Sequence, residues 1–84
     1  MGFFAMPEAE YLRIQADLRR RIDAGEWLPN TRLPTQTELA EHYGVSVQPI
    51  KAALSRLDVL GVVVQRRGGR AIVADRSRQQ PAGR

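Results

Sequence analysis

Thr35, Gln36 and Thr37 place two hydroxyls and a carboxamide directly after Pro34, and Ser46, Val47, Gln48 and Lys51 follow after a short interval. Hydroxyls and backbone amides at the start of a helix donate to phosphate oxygens. A glutamine can hydrogen-bond an adenine edge, and a lysine reaches a guanine edge or a phosphate. Further along come Arg56 and then Arg66, Arg67 and Arg70 around Gly68 and Gly69. Their guanidinium groups suit phosphates and a minor groove. A plainer role stands beside this one: Thr35 and Ser46 have the side chains of helix caps, and capping does not exclude a phosphate contact.

Catalysis finds little support in the same residues. The one histidine, His42, stands next to Tyr43 without a second ligand partner in sequence, so it reads as structural rather than as a metal ligand or general base. Ser46, Ser55 and Ser77 lack a nucleophile-elbow context, and the carboxylates are dispersed. The Gly68-Gly69 pair has no lysine and no following helix to make a phosphate loop. No enzyme, no metal and no cofactor is expected.

The elements that position these groups follow from local signals in residues 34–61. Thr35 with Glu38 three residues on makes a capping box, and Gly44 supplies a left-handed stop. Ser46 then caps a second helix that runs from Val47 until Gly61. So short a connection forces the two helices to cross steeply, as in a helix-turn-helix. Leu39, Ala40 and Tyr43 face inward from the first of these helices. Ile50, Ala53, Leu54, Leu57 and Leu60 form the buried stripe of the second. That leaves Val47, Gln48, Lys51, Ser55 and Asp58 outside, the first three at its exposed N-terminal end. Pro49 falls in the first turn, where a missing amide costs little.

Upstream, Pro7 suits a first helical position. Tyr11, Ile14, Leu18 and Ile22 form one apolar stripe, and Gly25 ends the helix. Arg13, Arg19, Arg20 and Arg21 alternate with Asp17 and Asp23 at spacings for ordinary ion pairs, which makes them a solvated face. Trp27 and Leu28 are expected to anchor a loop, and Arg32-Leu33 to run extended as a short strand beside a later hairpin. After Gly61 the period becomes extended. Val62-Val63-Val64, a two-residue turn at Gly68-Gly69 and Ala71-Ile72-Val73 make that hairpin. The fold class is therefore α+β, mainly α: three helices plus a C-terminal β-hairpin wing. Residues 1–6 form a flexible arm, 7–75 the domain, and 76–84 a flexible basic tail or linker.

At 84 residues the chain makes one domain that buries about 60 to 68% of its unfolded surface. It lacks cysteine, and its N-terminal apolar run is too short for a signal peptide or a membrane span, so a reducing, cytoplasmic location is expected. The net charge of +4 is unevenly placed. Residues 1–45 hold five arginines against seven carboxylates, whereas residues 46–84 hold eight basic residues against two aspartates. The basic half begins where the second helix of the pair begins. An anionic partner follows: nucleic acid first, an anionic membrane surface well behind it for want of a basic amphipathic face, or else a merely solubilising excess.

The chain resembles the DNA-binding domain of the GntR family of bacterial winged-helix regulators over about residues 11–73. The resemblance rests on Tyr11, Ile14, Leu18, Ile22 and Gly25; on Leu33-Pro34-Thr35, Glu38-Leu39-Ala40 and Gly44-Val45-Ser46; and on Ala53-Leu54, Leu57 and Gly61-Val62-Val63. It implies double-stranded DNA as partner and transcriptional regulation, with repression the expected sense. Departures fall where the family touches DNA: Thr37 and Val47 replace arginines, Lys51 replaces another, Pro49 a threonine and Arg70 a glycine. Two lost arginines remove about 1 to 3 kcal/mol each of base discrimination if they were bidentate. Binding is therefore expected to lean on phosphates and the minor groove through the wing.

Family members usually append an effector-binding or dimerising domain. The chain is expected either to be a compact regulator without an evident small-molecule site, homodimerising on DNA, or to be the DNA-binding part of a longer effector-gated regulator. A winged helix used for protein interaction is the alternative from another class.

Overall fold

The computed structural model describes residues 7–66 and 70–75, with side chains from Glu10 onward. The expectations for an arm at 1–6, for Arg67, Gly68 and Gly69, and for a tail at 76–84 fall outside those residues. Three helices precede a two-stranded antiparallel sheet: α1 (Pro7–Asp23), α2 (Gln36–Tyr43), α3 (Val47–Val59), β1 (Val63–Val64) and β2 (Ile72–Val73). This is the mainly helical winged helix-turn-helix read from the sequence.

Helix α3 lies at the centre, packed against α1, α2 and β1. Its Ile50, Ala53, Leu54 and Leu57 meet Ile14, Leu18 and Ile22 of α1 and Leu39 and Ala40 of α2 in one core, which Leu33, Val62, Val63, Ala71 and Val73 close. Among the described residues no polar or charged side chain is buried. Full burial of a leucine or isoleucine stabilises by about 1.5–3 kcal/mol, so the apolar stripe of α3 sets its orientation about its own axis.

The ends of α2 follow the local chemistry. Thr35 Oγ1 accepts from the Glu38 amide at 3.0 Å, and Glu38 Oε1 accepts from the Thr35 amide at 2.9 Å, a complete capping box. Gly44 takes φ 69°, and its N–H and that of Val45 donate to carbonyls of the last turn. Ser46 occupies the N-cap of α3 but makes no capping bond through its side chain. Pro49, at the third helical position, has no N–H and so removes one of the two amides from which a capping serine can accept.

Three other expectations are corrected. Leu60 lies half exposed, because α3 ends at Val59 and the chain turns at Gly61 (φ 80°); Val62, whose N–H donates to the Leu57 carbonyl, is buried instead. Leu28 is 64% exposed: the Thr31 amide and hydroxyl both bond its carbonyl in a tight turn that points its side chain outward. Of the two, it is Trp27 that packs against the core. Val47 turns toward the core and is half-buried rather than exposed.

The wing has its own correction. Val63 stands opposite Val73, and Val64 opposite Ile72. A regular two-residue turn at Gly68-Gly69 would set Val64 opposite Val73, one residue out of the observed register. Burial of Val63 and Val73 on one face decides the pairing, since a slip of one residue would turn one of the two strands inside out. On its other side β2 bonds the segment before Pro34: Arg32 bridges Ile72, the Leu33 N–H donates to the Ala71 carbonyl at 2.8 Å, and the Val73 N–H donates to the Thr31 carbonyl at 2.9 Å. The extended segment at Arg32-Leu33 is thus a third, single-bridge edge of the wing.

Gly44 offers a clean test of the turn. A Cβ there would meet nothing within 4 Å, so Gly44→Ala costs only the left-handed backbone strain. Urea melts should show a loss of about 1–2 kcal/mol.

Candidate nucleic-acid interface

Three features of the fold converge on one face. The first is the start of α2, where Gln36 is half-buried and Thr37 exposed. The Thr35 hydroxyl is engaged in the capping box. Glu38 is held below the usual carboxylate range by the hydrogen bond from the Thr35 backbone, then by the Thr35 side chain, with the positive charge of Arg70 adding to the effect.

The second is the outer side of α3. Gln48, Lys51 and Ser55 recur at steps of three and four residues and are all exposed, because the buried stripe takes the opposite side. Ser55 Oγ lies 3.4 Å from Gln65 Oε1, which joins this face to the wing. Arg56 is exposed too, but it lies in the last turn of α3, about 12 Å along the axis from Gln48. The structure does not bring it to the Gln48 end.

The third is the wing. Arg66 and Arg70 are exposed, and Arg70 Nε donates to the Leu33 carbonyl at 3.1 Å. Between the wing and the start of α2 runs a cleft of about 370 Å³, bordered by Thr35, Gln36, Thr37, Gln65, Arg66 and Arg70. Residues far apart in sequence thus share one cationic cleft. Among the described residues no carboxylate lies within ion-pair distance of Arg66, Arg70 or Lys51.

Comparison with known proteins assigns this arrangement. The profile described as bacterial regulatory proteins, gntR family, matches residues 10–73. The chain belongs to the GntR family. Among its relatives are the histidine utilization repressor of Pseudomonas putida, 33% identical over 82% of this chain and 28% of that protein, and the Exu regulon transcriptional regulator of Escherichia coli K12, 34% identical over 90% and 30%. The chain therefore spans less than a third of the length of these relatives. In structure it is similar to the DNA-binding domain of AraR solved in complex with operator ORE1, with a TM-score of 0.75, 30% identity and 88% of each chain covered. A GntR-family transcriptional regulator of solved structure matches at 39% identity and a TM-score of 0.72 over 80% of this chain and 26% of its own. The GntR chain is a winged helix-turn-helix DNA-binding domain, as its motifs imply.

Away from the cationic face, α1 and α2 of the GntR domain are joined by a polar network that the periodicity of α1 did not reveal. Tyr43 donates its hydroxyl proton to Asp17 Oδ2 at 2.7 Å and accepts from Arg21 Nη1 at 3.2 Å. Arg21 also pairs with Glu26 at 2.9 Å, lies 4.7 Å from the centre of the Trp27 ring, and places Nη1 3.1 Å from His42 Nε2. Arginine can only donate, so this imidazole nitrogen accepts. Arg19 and Arg20 keep the expected ion pairs with Asp23 and Asp17. The solvated-face reading holds for those two arginines, whereas Arg21 is a tertiary hub. A clue in sequence was the apolar step Tyr43, a residue type that brings a hydroxyl into a half-buried place. Among the described residues no group of three or more His, Cys, Asp or Glu could hold a metal, and no helix is long and apolar enough to cross a membrane.

Burial, and next the bond to Asp17, raise the Tyr43 phenol from 10.0 to about 12. A pKa raised in the folded state gives stability that is full below the unfolded value and lost as pH rises through the folded one. Urea melts should therefore show a Tyr43-dependent loss between pH 10 and about 12 that Tyr43→Phe removes. The Tyr43 bond and Arg20 hold Asp17 below its ordinary 3.8, so its contribution is present above that value and is lost as pH falls further.

Proposed function

We propose that this chain is the operator-reading part of a transcriptional repressor, with α3 in the major groove and the wing along the backbone and neighbouring minor groove. Gln48 and Lys51 are the base readers, beside Ser46 and Val47 at the start of the helix. Thr35, Gln36 and Thr37 meet phosphates through side-chain and backbone donors. Arg66, Arg67 and Arg70 with Gly68 and Gly69 form the wing contacts, and Arg56 adds a more distant phosphate contact.

One observation carries this reading: the start of α2 and the wing residues Arg66 and Arg70 line one cleft, the wing touching the outer side of α3 through Ser55 and Gln65, in a fold similar to a domain solved with operator DNA. Supporting it, the basic residues concentrate in the half of the chain that supplies α3 and the wing. The roughly 12 Å major groove admits such a helix. Use of two copies on a two-fold operator is part of the proposal, since paired helices reading one turn apart require a palindrome. So is membership in a longer effector-gated regulator, which the length of the relatives supports.

Selection of bound sequences from random duplexes should yield one palindromic motif. Titration with salt should give log affinity falling with log salt at about 0.9 per phosphate neutralised. Gln48→Ala and Lys51→Ala should each reduce preference for the selected motif over random duplex by about 1–3 kcal/mol. Absence of binding at low salt would reject the reading. Unchanged affinity in both variants, with loss of a protein partner, would favour an interaction module.

A further inference from the structure

The three wing arginines need not do the same work, and Arg70 is placed differently from a residue that leads into a groove. Its Nε is bonded to the Leu33 carbonyl, on the extended segment just before α2. That bond ties the return side of the wing back to the helix-turn-helix. A guanidinium is planar and presents five donors in a rigid fork, so fixing Nε also fixes the direction of the two Nη groups. Arg70 borders the cleft it shares with Arg66 and with Thr35, Gln36 and Thr37. The nearby carboxylate, Glu38, is committed to the Thr35 amide by the capping box and does not ion-pair with Arg70.

We infer that Arg70 is a positioning residue: it fastens the wing to the Leu33 carbonyl and thereby aims its charge at a DNA backbone phosphate in the cleft, rather than reading the minor groove. This rests on the DNA-binding reading above and corrects one part of it. Its contribution is the same on every duplex, because a phosphate carries no base identity. The wing is held at a fixed offset from α2, so a phosphate contact at the cleft sets the register of α3 in the groove. Base preference in the wing is left to residues other than Arg70.

The test uses the 84-residue chain, the duplex enriched by selection and a duplex of scrambled sequence. Arg70→Gln removes the charge, and Arg70→Lys keeps the charge but lacks the planar Nε tie. Arg70→Gln is expected to make the salt slope shallower by about 0.9, which is about an eightfold loss of affinity at 0.1 M salt relative to 1 M, equal on both duplexes. Arg70→Lys should retain the wild-type slope yet recover only part of the affinity on either duplex. Thermal melts identify a variant that fails to fold; if Arg70→Gln does, the lysine variant decides alone. An unchanged slope in Arg70→Gln makes the residue a structural tie only and overturns the inference. A loss confined to the selected duplex makes it a base reader and overturns it too. Full recovery of affinity by lysine overturns the positioning role. Wild-type chain that binds neither duplex at low salt rejects the proposed function itself, and this inference with it, whereas the other failures leave that function standing.

Discussion

Burial of one face of α3 is the constraint on which the rest of the molecule depends. Ile50, Ala53, Leu54 and Leu57 are all buried between α1, α2 and the wing, and a helix that buries this stripe has no rotational freedom left. Gln48, Lys51 and Ser55 face outward as a direct geometric consequence. The polar face of the helix is thus presented by its apolar one. Pro49 belongs to the same constraint: its ring is buried at the base of the first turn, and it removes one of the two amides that the side chain of Ser46, which caps by position without a side-chain bond, could accept from.

The wing is held from two directions, and this makes it part of the domain rather than an appendage. A two-stranded hairpin by itself is marginal in water. Here β2 also bonds the segment at Thr31 to Leu33, while Val62, Val63, Ala71 and Val73 close the core beneath it. The tie from Arg70 to Leu33 and the contact of Ser55 with Gln65 then fix its upper surface relative to α2 and α3. The cleft between wing and helix pair exists because these bonds hold its two walls apart at a set distance.

On the other side of the domain, the Asp17, Arg21 and Tyr43 network does for α1 and α2 what the apolar core does for α1 and α3. Each of its members is only partly buried, so its bonds are modest in energy but directional. Directional bonds set the angle of one helix on another more sharply than a purely apolar contact does. The orientation of α2, and with it the direction in which Thr35 to Thr37 point, draws on this network.

Local chemistry in the sequence determined most of the architecture: the capping box of Thr35 and Glu38, the left-handed Gly44, the apolar stripes of α1 and α3, and the change of period after Gly61. Each depends on residues within a turn or two of one another, which is why sequence alone can resolve it. The family motifs added the winged helix-turn-helix by the same local matches in register. Tertiary structure decided what depends on distant neighbours. Leu60 lost its place in the stripe to Val62 when the chain turned, Leu28 pointed outward from its tight turn, and the wing took the register that buries Val63 with Val73 instead of the one suggested by two glycines. Arg21 and Arg70 show the difference most clearly, since an arginine in a sequence is only a charge with a long reach. Which carbonyl or hydroxyl stops that reach is settled by elements many residues away, Tyr43 for Arg21 and Leu33 for Arg70.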